Sequence, residues 1–261
     1  MKQNRQELYL QKYAHEVIHI DGFSAAKMGL IQSQTMLKID KLQLICSPFQ
    51  LSMQKAVLLG ILSERELPFF KHYTQKLTSL RLRFDKSELN QQPLKLMLWA
   101  RINRLIPLQG RQNLCMVDLN LKSCPNDLID ILGRYIDMYK TFQNLFVRYR
   151  GREISISPET NQLLKFNNYA EAYIKKQKVR VKLLLLSVNR LLMVIPAFDA
   201  CIKAGLEFES KLYFQQYRFK ISGKIEKTSP VKDGFIHLYY LIKFTPELVD
   251  IVHTYFQQNT Q

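Results

Sequence analysis

The chain has 261 residues, of which 47% are hydrophobic, and a formal net charge of +16. This length and apolar content exclude a disordered chain and predict about two domains with hydrophobic cores. The charge predicts attraction to polyanions such as nucleic acid, nucleotides or acidic membrane surfaces. Residues 1–10 are polar and no apolar run reaches spanning length, so we expect neither a secretory signal nor a membrane span.

The four cysteines are Cys46, Cys115, Cys124 and Cys201. Their spacing does not match a paired metal motif, and each sits among apolar neighbours. We therefore expect buried free thiols and a cytoplasmic, reducing location.

The first predicted element is an amphipathic helix over residues 1–18, with Leu8, Leu10, Tyr13 and Val17 on its apolar side. This stretch contains His15, Glu16 and His19, a formal match to the HExxH zinc motif, in which the glutamate is the general base. Only fourteen residues precede His15, too few for the sheet that zincin folds place before that helix. We expect two histidines on an ordinary helix, with no metal site.

A strand-rich region follows, with predicted strands at 36–44, 80–84, 94–106 and 113–121 and a further β-prone stretch at 46–55. A helix is predicted at 64–77 with Ser63 near its N-cap, and Gln109–Gly110–Arg111 is typical of a hairpin turn. Pro125 ends the last strand, and Asn126 is positioned to cap a helix over 127–139.

The second half repeats this ending, with a strand at 217–225, a turn near Asp233–Gly234, a strand at 235–244 and a closing helix after Pro246. Residues 127–136 align with 247–256, so that Asp130 corresponds to Asp250 and Tyr135 to Tyr255. We interpret this as a duplication of a small β-barrel closed by a helix. The predicted domains are 1–140 and 153–261, joined by a linker over 141–152.

The linker carries Arg148 and Arg152, and residues 153–157 alternate as the first strand of the second domain. On an extended chain two side chains four residues apart point the same way, roughly 13 Å apart. Each guanidinium can grip a phosphate bidentately or meet the O6/N7 edge of guanine. The pair suits a ligand with two phosphates and two purines, and the alternative is a solvated basic linker.

This pattern resembles the PilZ domain, and the layout resembles the two-domain, spirochaetal PlzA-like type of that family. The resemblance implies a mostly β, α+β protein of two six-stranded barrels, each closed by a C-terminal helix, that acts as a cyclic di-GMP receptor. It assigns Arg148 and Arg152 to phosphate and guanine contacts.

The second motif of the family is [Asp/Asn]-x-Ser-x-x-Gly, and its counterpart here, residues 185–190, keeps only the serine. The resemblance assigns Ser187 a hydrogen bond at the barrel edge, and Arg190 stands where the glycine would be, where it could occlude or reshape the site. Ser52 lies in a similar stretch, residues 50–55, without an arginine pair upstream. Binding by the N-terminal domain alone is therefore not expected.

We thus predict a non-enzymatic cyclic di-GMP receptor without cofactor or metal, in which ligand at the interdomain junction fixes the orientation of the barrels. Two alternatives stay open. One is DNA or RNA binding by the basic run near Tyr173, formed by Lys175, Lys176, Lys178, Arg180 and Lys182. The other is a protein-interaction module that has lost nucleotide binding. A downstream protein partner is expected but not specified by the sequence.

Overall fold

The computed structural model describes residues 5–111, 113–174, 177–196, 202–215, 217–231 and 234–259. The chain divides into two compact units, Met1–Met138 and Tyr139–Gln261. Within the described residues, no helix is both long enough and apolar enough to cross a membrane.

The first unit contains, in chain order, α1 (Arg5–Tyr13), β1 (Ile18–His19), α2 (Gly22–Met28), β2 (Thr35–Ile39), β3 (Leu42–Leu51), β4 (Lys55–Ile61), α3 (Leu67–His72), β5 (Leu77–Phe84), β6 (Leu94–Pro107), β7 (Leu114–Leu121) and the start of α4 (Asn126–Arg148). Six strands pair antiparallel in the order β3–β2–β5–β6–β7–β4, and β3 also pairs with β4, which closes a barrel. The short β1 adds to the outside edge of β3.

Alternation along the strands builds the barrel core. On β5, Thr78, Leu80, Leu82 and Phe84 are buried while the residues between them are more exposed. Side chains two apart on a strand share a face, so a period of two directs one apolar row inward. The same pattern made these strands visible in the sequence.

The second unit contains β8 (Ile154–Ser155), α5 (Pro158–Leu164), β9 (Phe166–Ile174), β10 (Gln177–Leu186), β11 (Arg190–Pro196), β12 (Glu207–Phe214), β13 (Arg218–Pro230), β14 (Phe235–Ile242) and α6 (Pro246–Gln258). Its strand order is β10–β9–β12–β13–β14–β11, closed by pairing of β11 with β10, and β8 adds to β10. Strand for strand, this is the order of the first barrel. The predicted fold, two six-stranded barrels each with a closing helix, is confirmed.

The first helix differs from its prediction. Helix α1 ends at Tyr13, and it buries Tyr9 and Tyr13 while Leu8 and Leu10 are 45% and 38% exposed. The two tyrosines are four residues apart and therefore share a helical face. A Cβ at Gly133 of α4 would lie 2.3 Å from the Tyr9 ring, so glycine is needed for this close packing.

The two histidines of the formal zinc motif do not lie on one helix. His15 follows the end of α1, and His19 belongs to strand β1, paired with Gln50 of β3. The prediction of two histidines on an ordinary helix is therefore wrong. The HExxH arrangement needs both imidazoles on one helical turn, and this backbone does not provide that turn.

The ends of two other helices also differ from their predictions. Helix α3 is shorter than the predicted 64–77, because Gln75 has a left-handed φ of 68° and Leu77 already begins β5. Ser63 is not its N-cap as predicted, because the helix begins at Leu67 with Glu66 at the N-cap and no side-chain capping bond. Ser63 and Glu66 instead close the preceding turn, where the Glu66 carboxylate accepts from the Ser63 backbone N–H at 2.8 Å. Helix α4 runs nine residues beyond its predicted end at 139, so residues 141–148 of the predicted linker are helical.

Cys46 and Cys115 are buried free thiols, as predicted, and Cys124 is half-buried. Burial raises the pKa of Cys46 and of Cys124 to about 12, so both stay protonated. Cys201 lies outside the described residues, as do Lys175, Lys176 and Asp233 of the predicted basic run and turn.

Candidate ligand-binding site

Arg148 and Arg152 lie on either side of a tight turn. Arg148 is the last residue of α4, and Arg152 donates its backbone N–H to the Tyr149 carbonyl at 3.1 Å. Gly151, at φ 78°, provides the left-handed conformation that completes the turn. The expected extended chain is therefore wrong, and so is the separation derived from it. Both arginine side chains are exposed.

The helix continues this far because its apolar spacing does. Phe142, Leu145 and Tyr149 are all buried, at intervals of three and four residues that keep them on one helical face. Tyr149 is 5% exposed, and its backbone N–H still bonds to the Leu145 carbonyl at 2.8 Å.

Tyr149 anchors the turn on α6. Its hydroxyl lies 2.8 Å from Nδ1 of His253, and its ring stacks on Phe256 at 5.3 Å between centroids. The Arg152 guanidinium lies 5.6 Å from the centroids of both the Tyr149 and the Phe256 ring, within cation–π range. Two aromatic rings therefore position Arg152.

His253 is the titratable group beside this turn. Burial lowers its pKa below the usual range, and the positive charge of Arg148 lowers it further, while Asp250 acts in the opposite direction. The imidazole is therefore held toward its neutral form. The sequence did not reveal the contributions of His253 and Phe256, because their helix lies about a hundred residues from Arg152.

Ser187 occupies the turn between β10 and β11, where it is 1% exposed. Its backbone N–H donates to the Arg190 carbonyl at 2.9 Å, and its hydroxyl donates to Oδ1 of Asn189 at 3.0 Å. The hydroxyl also accepts from the Asn189 N–H at 3.4 Å. The serine thus holds the turn together from inside, and a direct ligand contact by Ser187 remains a prediction.

Asn189 joins this serine turn to the arginine turn. Its Oδ1 accepts from the backbone N–H of Gly151 at 3.4 Å. Strand β8, which follows Arg152, pairs through Ile154 and Ser155 with the last residues of β10. The two motifs that the sequence separates by more than thirty residues therefore meet at one edge of the second barrel.

Arg190 begins β11 and forms an ion pair with Glu226 of β13, with Nη2 and Oε1 2.9 Å apart. Both residues line a pocket of about 250 Å³ on the outside of the second barrel, together with Glu153, Leu185, Lys227 and Tyr239. Glu153 directly follows Arg152 in the chain. Arg190 therefore forms a wall of a pocket beside the arginine turn, and Glu226 is a site residue that the sequence did not suggest.

The first barrel keeps the serine turn without the arginines. Ser52, 4% exposed, accepts from the Lys55 N–H at 2.9 Å and donates its own N–H to the Lys55 carbonyl at 2.8 Å. Strand β1 pairs beside it with the end of β3, as β8 does with β10. Before β1, however, the chain reads His15-Glu16-Val17.

These features define a protein of two tandem closed barrels, the second carrying an arginine pair at its edge. A PilZN3 domain model matches residues 5–139, and the chain belongs to this family.

Several solved structures match the chain at low identity. The Borreliella burgdorferi PlzA protein in complex with c-di-GMP is 18% identical, with a TM-score of 0.48 over 97% of this chain and 98% of that one. The PilZ domain of Escherichia coli YcgR with c-di-GMP is 16% identical, with a TM-score of 0.31 over 39% and 83% of the two chains. The K. pneumonia MrkH–c-di-GMP complex is 7% identical, with a TM-score of 0.35 over 87% of each. A search of curated protein sequences found no match.

Proposed function

We propose that this protein is a non-enzymatic receptor for cyclic di-GMP and that the ligand binds at the arginine turn of the second barrel. The observation that carries the proposal is the pairing of two exposed arginines with the serine turn through the Gly151–Asn189 hydrogen bond. The resemblance to PilZ receptors assigns the same two arginines to the nucleotide.

The chemistry of the arginines fits such a ligand. A guanidinium is a rigid fork of donors, always charged, that binds phosphate or the O6/N7 edge of guanine bidentately. Arg152 is already positioned by the rings of Tyr149 and Phe256, so less side-chain freedom is lost when it binds. Arg148 lies at the C-terminal end of a helix, where the helix dipole also favours a cation.

In the described part of the chain, no group of three or more His, Cys, Asp or Glu side chains could hold a metal ion. The function proposed for the site is binding alone. The proposal also places the receptor in the cytoplasm, where free thiols such as Cys46 persist.

The test is isothermal titration with cyclic di-GMP. The unmodified protein should bind, and a combined Arg148→Ala and Arg152→Ala change should weaken binding at least about a hundredfold, because each charge-assisted contact contributes about 1.5–3 kcal/mol. Arg150 is the matched control: it lies between them, is exposed, and sits over the Phe146 ring at 5.4 Å.

Arg150→Ala removes one positive charge from the same turn and should change the affinity only a few-fold. An equal loss in Arg150→Ala would show that net charge, not the arginine pair, binds the nucleotide. Absence of any heat or thermal shift for the unmodified protein would favour a protein-interaction module that has lost its ligand.

Ligand binding at Arg148 would also affect the relative orientation of the two barrels. Helix α4 begins in the first unit and ends at Arg148 in the second. A ligand that fixes Arg148 relative to the second barrel would order the end of the helix that connects the units. We therefore propose that cyclic di-GMP narrows the range of barrel orientations. Spin-label distances between the barrels should sharpen on ligand addition, and unchanged distance distributions would contradict this step.

A second candidate function, binding of single-stranded nucleic acid, is favoured by the outer face of the second barrel. Ala170 and Ala172 are buried, so the alternate residues Tyr169, Glu171 and Tyr173 lie on the outside of β9. Tyrosines and cations are interleaved on this face: Tyr169, Tyr173 and Tyr213 with Lys178, Arg180, Lys211, Arg218 and Lys220. Cationic tracks with aromatic platforms are what single strands bind.

This tyrosine–cation face is organised by one buried carboxylate. Glu171 is 2% exposed and accepts from Tyr169 at 2.8 Å and from Tyr173 at 2.9 Å, while Lys178 lies 2.5 Å away. Burial alone would raise the pKa of Glu171, but the hydrogen bonds from Lys178 and the tyrosines lower it to about 2. The negative charge is thus enclosed, and the exposed surface around it is cationic. Lys178, Arg180 and Lys182 of the predicted basic run are exposed on this barrel.

A further inference from the structure

The pocket beside the arginine turn contains a carboxylate, which is unusual next to a site proposed to bind an anionic nucleotide. Glu226 places a carboxylate in its wall, ion-paired with Arg190, and both side chains are partly exposed, at 34% and 47%. An exposed ion pair of this kind contributes little to stability. Its position in a pocket next to the proposed nucleotide site calls for a functional explanation.

The strand pairing is irregular at Glu226. The pairing of β13 with β14 shifts between Ile225 and Lys227, so Glu226 is the extra residue of a β-bulge. Such bulges re-aim one side chain and are enriched next to functional sites. Glu226 and Lys227 are both exposed.

The pocket has room for one base. Its volume of about 250 Å³ lies below the roughly 300–1,000 Å³ typical of sites for drug-sized ligands. Leu185 contributes an apolar wall, and Tyr239 contributes an aromatic ring covered by the Lys227 ammonium at 4.2 Å. A planar, partly apolar group with polar edges fits such a lining, whereas a whole cyclic dinucleotide does not.

The Arg190–Glu226 pair matches the edge of guanine in particular. Guanine presents the acceptors N7 and O6 next to the donors N1–H and N2–H₂, which is acceptor beside donor. An arginine beside a carboxylate presents hydrogen-bond donors next to acceptors, which is the arrangement complementary to guanine. Adenine keeps the N7 acceptor but reverses the other positions, because its exocyclic amine would face the guanidinium and its N1 lone pair would face the carboxylate.

We infer that Arg190 and Glu226 form a guanine-reading pair, in which Arg190 donates to O6/N7 and Glu226 accepts from N1–H and N2–H₂ of one base of the ligand. This inference rests on the proposed function. The base would enter from the arginine turn, since Glu153 lines the pocket directly after Arg152, and Gly151 bonds to the neighbour of Arg190 in the chain, Asn189. Glu226 thereby supplies the acceptor that Leu185 lacks.

The experiment measures dissociation constants for cyclic di-GMP and cyclic di-AMP on the same variants and compares their ratio. In the unmodified protein, cyclic di-GMP should bind about tenfold to a hundredfold more tightly, as expected for one bidentate base contact. Glu226→Gln should lower this ratio several-fold, because the neutral amide is a weaker acceptor for N1–H and N2–H₂ than the carboxylate. The ratio is the decisive quantity because both ligands carry the same phosphates, so any gain from deleting a negative charge cancels.

Glu209→Gln is the matched control. Glu209 lies on the same barrel, on β12, and forms a comparable exposed ion pair with Lys220 at 3.6 Å, outside the pocket. It should leave the ratio unchanged, and thermal unfolding should show that both variants remain folded.

Several outcomes would overturn the inference. They are a ratio preserved in Glu226→Gln, an equal fall in Glu209→Gln, or a fall on Glu153→Gln instead, which would assign guanine recognition to the other carboxylate. A protein that binds neither nucleotide would refute the proposed function itself, which is distinguishable from tight binding with no change in selectivity.

Discussion

The two barrels share a scaffold and differ in a few side chains at one edge. Tyr13 lies five residues before the first residue of β1, and Tyr149 lies five residues before the first residue of β8. Both tyrosines are buried, and their hydroxyls reach the closing helices at Asp137 and His253. By this alignment α1 is the counterpart of the end of α4, and the closing helices correspond.

The same alignment shows which charged residues differ between the two barrels. Lys12 corresponds to Arg148, and Glu16 corresponds to Arg152, so the first barrel carries opposite charges where the second carries two cations. The β-bulge is shared, but its extra residue in the first barrel is Asn103, which donates to Asp118 at 3.0 Å. The fold thus provides the edge, the serine turn and the bulge twice, and only the second copy has the residues of the proposed site.

The largest expected effect separates packing from ligand binding at the paired tyrosines. Tyr149→Ala and Tyr13→Ala should each destabilise the protein by about 3 kcal/mol, because each removes a buried ring that lies against a closing helix. Only Tyr149→Ala should also weaken cyclic di-GMP binding, since it removes one of the two rings that position Arg152.

Denaturant unfolding and isothermal titration of both variants test this, at a temperature where each is folded. Tyr149→Phe keeps the ring and should retain most of the affinity. If Tyr13→Ala weakened ligand binding as much as Tyr149→Ala, the division of roles between the barrels would be wrong.

The next prediction concerns single-strand binding, for which the outer faces of the two barrels are compared. If the tyrosine–cation face binds single strands, affinity for a fluorescent oligo-dT should fall with salt, with a log–log slope of about −0.7 per phosphate contacted. Changing Arg180, Arg218 and Lys220 to Gln should make that slope shallower by about 2. These three avoid Lys178, whose loss would leave the buried Glu171 without its cation.

The matched control changes three cations on the first barrel, Lys38, Arg81 and Lys95, whose outer face exposes Met97 and Trp99. Their removal should leave the slope nearly unchanged. Equal effects from both sets would mean that the net charge of +16 acts as a diffuse field with no defined nucleic-acid face.

Sequence periodicity predicted much of the fold because the outward and inward faces of a barrel strand differ at every second residue. The paired closing helices were also visible, and their aligned acids have parallel roles: Asp130 accepts from Gln6 at 3.0 Å, and Asp250 accepts from Tyr217 at 2.9 Å. Helix ends were less predictable. The arginine pair was predicted to lie on extended chain. Instead, Phe142, Leu145 and Tyr149 are buried and extend the helix, because their packing partners are distant in sequence.

The site was predictable only where it is local. Arg148, Arg152 and the serine turn lie in short motifs, so the sequence could show them. Glu226, Phe256 and His253 reach the site from a strand and a helix far along the chain. No local motif connects them to Arg148 or Arg152, so the carboxylate in the pocket could not be anticipated.

A smaller effect concerns acid stability. A carboxyl with a depressed pKa stabilises the fold above its unfolded pKa, and this contribution is lost as the pH falls toward the folded value. For Glu171 that window runs from about 4.3, its unfolded pKa, down to about 2. Glu171→Gln should therefore be less stable than the unmodified protein at pH 7, and the difference should shrink in acid.

Melting temperatures across pH 7 to 2 measure this difference, with Glu209→Gln as the control carboxylate on the same barrel. The first barrel offers no such expectation on β2, where Met36 and Lys38 face outward. A constant gap between Glu171→Gln and the unmodified protein at all pH values would show that the carboxylate is not charged in the fold.

The smallest expected effect lies at His253. Because burial and Arg148 lower its pKa in the folded protein, protonation favours the unfolded chain, whose histidine has a pKa of about 6.5. Stability should therefore decline slightly as the pH falls through 6.5, and His253→Gln should remove that part of the decline. The corresponding residue of α4 is Gly133, which packs against Tyr9 and does not titrate, so the first barrel has no such group at this position.

Adding ligand tests the contribution of Arg148 to the His253 effect. A phosphate bound to Arg148 would cancel its positive charge, which disfavours protonation of His253, while burial would still act. Saturating cyclic di-GMP should therefore make the decline between pH 7 and 5.5 partly shallower. Denaturant titrations with and without ligand measure this change. A decline that persists unaltered in saturating ligand would place the phosphate away from Arg148, and the role of this arginine would then pass to Arg152 alone.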